Sequence, residues 1–200
     1  VMAGSSAVVD ELLKKAPKSA SARDVDGNTP LHLLCMQGKA DVACRTAMVN
    51  ALVAHGADVN AKNLENSTPL QLAAQSETGA EMVALMLKGG NITIDSRNKA
   101  GETSLYTACW QGHKETAQVL CKSHADANAV NNEGWSPLHA AASKGHLECC
   151  AILLEHKARI NIQSKQGTTP IFHAAEGGHL SVVQFLVSRN ADPDLSEEGG

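Results

Sequence analysis

Aromatic side chains are scarce in this chain. Tyr106, Trp110, Trp135, Phe172 and Phe185 are all that 200 residues provide. A core made with so few rings has to be aliphatic. With 43% apolar residues there is enough Ala, Leu and Val to build one, and such small side chains suit helices packed at short range. An excess of charge of one sign is also missing. The formal net charge of −4 and isoelectric point of about 6.1 offer no basic surface, so no nucleic-acid partner is expected. No apolar run approaches the roughly 20 residues that a membrane-spanning helix needs, so no direct membrane insertion is expected. Residues 1–16 hold Asp10 and Glu11 and lack a long apolar centre, so they do not read as a signal peptide.

Motifs of catalysis are lacking in the same way. There is no HExxH, no paired CxxC, no GxSxG and no GxxxxGK[ST]. Gly89-Gly90 and Gly177-Gly178 read as turn glycines. No enzyme activity, metal or cofactor is expected. The six cysteines do not form a disulfide framework, because Cys149 and Cys150 are adjacent and Cys35, Cys109 and Cys121 sit where small apolar residues recur. All six are expected to be reduced and buried, which points to an intracellular chain, cytoplasmic or nuclear.

What the chain does have is repetition. The stretch Gly134–Gly167 shows one unit: a turn glycine, then Ser136-Pro137-Leu138-His139, an alanine run (Ala140 to Ala142), a second turn at Gly145-His146, and an apolar helix from Cys149 to Leu154. The same box starts at Thr29, Thr68, Thr103, Ser136 and Thr169, spaced 39, 35, 33 and 33 residues apart. Thr or Ser caps a helix, and Pro occupies its first turn, where no amide donor is lost. The box histidines His32 and His139 are expected to hydrogen-bond between turns. His173 stands one place out of register, because Phe172 occupies its position. Neither helix of a unit buries its apolar face alone, so each unit needs a neighbour.

A box of this kind at a 33-residue period resembles the ankyrin repeat, over residues 24 to 194. The resemblance implies an all-α solenoid of stacked helix pairs with short β-hairpin fingers. It divides the chain into a half-repeat or capping helix (1–23), repeats at 24–62, 63–97, 98–130, 131–163 and 164–194, and a tail (195–200). Residues 5 to 16 read as a lone second helix ended by Pro17. The first repeat carries six extra residues between Gly38 and Gly56, expected to lengthen its inter-helix turn or the start of its second helix. The second carries about two, near Glu77 to Gly79 and in Gly89 to Ile94. After Asp194 nothing reads as a cap for the last apolar helix, so the chain is expected to be an excised array of a longer protein.

The resemblance also implies a concave partner-binding face made of finger tips and inner-helix ends. Here those positions include Met36, Gln37, Gln75, Glu102, Trp110, Gln111, Glu133, Trp135, Ser143, Lys144 and Glu176, with Tyr106 one turn before Trp110. The two tryptophans are expected on one central surface, as an interface hot spot or as rings covering the alanine-rich helices. Glu65, Glu102, Glu133 and Glu176 form either an acidic strip or part of a mixed-charge surface. The expected function is a non-catalytic protein–protein interaction module, monomeric in isolation, that binds a protein or peptide. Two alternatives stand beside it: a regulatory or autoinhibitory domain of an enzyme or channel, and a modified-peptide reader using an aromatic cage.

Overall fold

The computed structural model describes residues 17–36 and 42–195. Gln37, the lone helix expected over residues 5 to 16 and residues 196–200 lie outside them. Among the described residues there are ten α-helices, one 3₁₀ helix and no β-strand. The chain divides into two compact units, 1–93 and 94–200.

The first unit holds the 3₁₀ helix Pro17–Ser21, then α1 (Pro30–Met36), α2 (Val42–Ala54), α3 (Pro69–Gln75) and α4 (Gly79–Lys88). The second holds α5 (Ser104–Gln111), α6 (Lys114–Lys122), α7 (Pro137–Ser143), α8 (Leu147–Glu155), α9 (Pro170–Glu176) and α10 (Leu180–Ser188). Each short first helix packs on the longer helix that follows it. Within the units α1 also packs on α3, α5 on α7, and α7 on α9. Pro17 opens the 3₁₀ helix.

The boxes start helices for the expected reason. Thr68 Oγ1 accepts the Gln71 backbone N–H (3.3 Å), and Gln71 Oε1 accepts the Thr68 N–H (2.9 Å). In α7 the pair is Ser136 and His139, with the imidazole Nδ1 accepting the Ser136 N–H at 3.1 Å. Nδ1 therefore carries no proton, and Nε2–H donates to the Thr168 carbonyl at 3.0 Å. His32 repeats this arrangement with Thr29 and the Ser67 carbonyl. Each reciprocal pair satisfies helix-end donors that would otherwise be buried unpaired. Burial is the main reason the His139 pKa falls to about 4, helped by the neighbouring His173 and opposed by the Thr168 bond.

The core is aliphatic, as the shortage of rings requires. Leu31 and Leu70 in the first unit, and Leu105, Leu120, Leu138, Leu153 and Leu186 in the second, are fully buried. Each contributes about 1.5–3 kcal/mol relative to exposure, an upper bound against an extended unfolded chain. Five cysteines join this core, and burial lifts the thiols of Cys35, Cys121 and Cys150 to about 12. Cys44 corrects the expectation of six buried thiols: it is only half-buried, and like the rest it is reduced. It lies on α2, which runs 13 residues where α6, α8 and α10 run nine. The extra length of the first pair thus goes at least partly into its second helix. In the next pair, Ser76 to Thr78 form the turn between α3 and α4.

The fingers are tight turns without strand ladders. In the second unit the Asn131 N–H donates to the Trp135 carbonyl (2.9 Å), and the Gly134 N–H donates to the Asn131 carbonyl (3.0 Å). Gly134 sits at φ +81°, in the left-handed region where a side chain is strained. Space is closed there as well, since a Cβ would lie 2.6 Å from the Lys165 nitrogen.

Candidate protein-binding surface

The surface belongs to the second unit and begins with a helix end. Thr103 caps α5 by accepting the Tyr106 N–H, and Gly112 closes the helix at φ +77°. That leaves Trp110 in the last turn, stacked on Tyr106 four residues earlier, with ring centroids 6.3 Å apart and planes 16° apart. An i, i+4 pair on one helix face meets in this way because side chains lean toward the N-terminus. From the adjoining pair, His146 covers Gly112, and its Nε2–H donates to the Trp110 carbonyl at 3.2 Å. The main chain carrying the indole is therefore fixed.

Trp135 reaches the same place from the finger. The Asn131 carboxamide oxygen accepts two backbone N–H groups, from Glu133 and Trp135, at 2.9 Å each. Bonds to both flanking turns hold the loop. Asn132 donates to the Ala100 and Lys99 carbonyls, and the Lys165 N–H donates to the Glu133 carbonyl. The Trp135 ring stands 6.4 Å from Trp110, tilted by 52°. On its other side it lies 4.2 Å from His173 and 5.9 Å from His139.

Exposure sorts the roles. Tyr106 is buried (5%), whereas Trp110 remains 36% exposed, and Trp135 is half-buried. Tyr106 thus supports Trp110 from below and presents no contact surface of its own. Burial, and secondarily the Glu102 carboxylate, push its phenol pKa above the ordinary range, against an opposing hydrogen bond with Asn131. Lys144, exposed beyond the end of α7, places Nζ 4.1 Å from the Trp110 ring centroid.

Of the residues expected on the face, Trp110, Trp135, Tyr106 and Lys144 are brought together. Gln111 and Glu133 are exposed, and Ser143 is half-buried, its carbonyl accepting from His179 Nε2 at 3.0 Å. Glu102 accepts from Asn98 (2.9 Å), and Glu176 accepts from His173 Nδ1 (3.1 Å). Met36 (55% exposed) and Gln75 (exposed) belong to the first unit. The residue that sequence reasoning left out is His173. Its displacement from the box register was the visible signal: Phe172 fills the box position, and His173 turns instead toward Thr168 Oγ1 (2.9 Å) and Trp135.

Each unit also has a concavity. A groove of about 520 Å³ in the first unit is lined by Leu31, Val49, Val53, Leu85 and Met86 among others. An open hollow of about 770 Å³ in the second unit lies beside Asn131, Gly134, Arg159 and Lys165. Among the described residues no group of three or more His, Cys, Asp or Glu is arranged to hold a metal ion, and no helix is long and apolar enough to cross a membrane.

A family profile described as "Ankyrin repeats (3 copies)" matches residues 1–98, 42–131 and 123–197. The ankyrin repeat and KH domain-containing protein mask-1 of Caenorhabditis elegans is 36% identical over 118 residues, 59% of this chain and 4% of that protein. The mouse serine/threonine-protein kinase TNNI3K is 28% identical over 107 residues, 54% of this chain and 12% of the kinase. The human transient receptor potential cation channel subfamily A member 1 is 29% identical over 120 residues, 58% of this chain and 10% of the channel. The chain thus corresponds to a small fraction of the length of each of these relatives.

Proposed function

Because this chain belongs to the ankyrin-repeat family, whose arrays generally mediate protein–protein interaction, we propose that it is a non-catalytic binding module that grips a protein or peptide through the Trp110–Trp135 surface. Each helix pair with its leading turn is one repeat, with seams near 62/63, 97/98, 130/131 and 163/164. The observation that carries the reading is the placement of the chain's only two tryptophans. Their rings lie 6.4 Å apart, supplied by different elements, with Trp110 more than a third exposed in a protein that has few rings to spare. Large rings on rigid backbone give contact area at small entropic cost, and such residues dominate interface energies at about 2 kcal/mol or more each.

The test uses a random dodecamer peptide display library selected on the whole chain. Selected peptides are titrated against the parent and against Trp110→Ala/Trp135→Ala. The double variant is expected to bind at least about tenfold more weakly, with an unchanged helical circular dichroism spectrum and nearly the same melt. Peptides that bind both proteins equally would refute the reading. A collapsed melt would assign the rings to packing instead.

The kinase and channel among the relatives support a second reading. In it the same face meets a neighbouring segment of a host protein and regulates it. Removing residues 98–163 from such a host would then change the activity of the host itself, and an unchanged activity would dismiss this reading.

A further inference from the structure

We infer that the partner of this surface presents a carboxylate, carried next to an apolar side chain, to Lys144. The inference rests on the Trp110–Trp135 reading and adds the chemistry of what is bound there.

Lys144 Nζ sits 4.1 Å from the centroid of the Trp110 ring. The electron-rich face of this indole is therefore already taken by a cation of the same chain. An incoming ammonium or guanidinium, methylated or not, has to displace that resident before it gains anything. An incoming carboxylate displaces nothing. The ammonium holds three donors, and those not turned toward the ring point outward over an apolar floor. A carboxylate arriving there makes a charge-assisted bond to a cation whose position Trp110 has already restricted, so little side-chain entropy remains to be lost. The apolar neighbour of that carboxylate lies on the tilted pair of indoles.

The nearby acidic groups do not occupy the same place. The Glu176 carboxylate is held by His173 at 3.1 Å, and that of Glu102 by Asn98 at 2.9 Å. Glu133 is exposed on the finger two residues before Trp135, and it sets the limit of the anionic ligand on that side. Neutralising it should tighten binding, whereas neutralising Lys144 should weaken it.

The dodecamer selection separates this inference from the reading beneath it. Peptides sensitive to the double tryptophan variant are expected to be enriched in Asp or Glu beside Leu, Ile, Phe or Trp. They should lose roughly tenfold in affinity on Lys144→Met, the size of a lost charge-assisted bond, and keep most of it on Lys144→Arg. Replacing their acidic residues by amides should give the same loss. Affinity should fall as salt rises, and Glu133→Gln should strengthen it. Tryptophan-sensitive peptides that are basic or neutral, or that bind better when Lys144→Met uncovers the ring, would overturn the inference and leave the surface itself standing. Peptides indifferent to both tryptophans, or no enrichment at all, would overturn both.

Discussion

Replacing His139 by Gln should remove a defined part of the acid sensitivity of this protein. In the folded chain the imidazole is neutral: Nδ1 accepts the Ser136 N–H, Nε2–H donates to the Thr168 carbonyl, and the ring is fully buried. Its pKa falls from 6.5 to about 4. The native state therefore binds fewer protons than the unfolded chain between those values, and stability rises with pH across that window. Above about pH 6.5 the full contribution is present. At pH 5 about 2 kcal/mol has been lost, and below pH 4 about 3 kcal/mol. Gln is the right replacement because Gln71 already fills the same place in α3, taking the Thr68 N–H at 2.9 Å without a titrating group. Urea denaturation of parent and His139→Gln at pH 7 and pH 5 gives the answer. The parent should lose about 2 kcal/mol more than the variant between the two pH values. Parallel losses would show that protonation of His139 does not oppose folding, and the argument from its buried neutral tautomer would fail.

Other outcomes follow from the backbone and the thiols. Gly134→Ala should destabilise the chain by about 1–3 kcal/mol, because it combines a left-handed φ with a Cβ 2.6 Å from the Lys165 nitrogen. Gly89→Ala, at φ −70° with only the Met86 carbonyl at 3.4 Å from its Cβ, should be neutral or slightly stabilising. Thermal melts of the two variants decide, and equal effects would refute the distinction. A thiol reagent such as DTNB at pH 8 should modify Cys44 quickly in the native protein and the other five only on unfolding, since those are buried. Rapid labelling of more than one thiol would contradict the dry cysteine core.

The parts of the molecule legible in the sequence were those set by local chemistry. The Thr/Ser-Pro pairs mark helix starts because capping depends on residues three apart, and Gly112 and Gly134 mark turns that need positive φ. The nearness of Trp110 and Trp135 was legible because both positions recur in a register of fixed period. Less legible was anything that depends on how neighbours fill space. Tyr106 shares a helix face with Trp110 yet is buried beneath it. Cys44 is only half-buried, on a helix longer than the other second helices. His173 reaches Trp135 only because Phe172 takes the box position and turns the imidazole toward Thr168. The fingers also proved to be single closed turns: the five residues from Asn131 to Trp135 close one backbone hydrogen bond, and no strand ladder extends from it among the described residues.

The two indoles come from either side of a seam: Trp110 from the pair α5–α6, and Trp135 from the finger that leads into α7. Bonds across this seam join one pair to the next, as with His146 to the Trp110 carbonyl and Asn132 to Ala100. Chains linked only to their nearest neighbours open one junction at a time. A ligand seated on both rings would act as a clasp on that junction. Its occupancy would be recorded far from the point of contact, as slower amide exchange along the facing helices α5 and α7, while the terminal helix α10 kept its own rate.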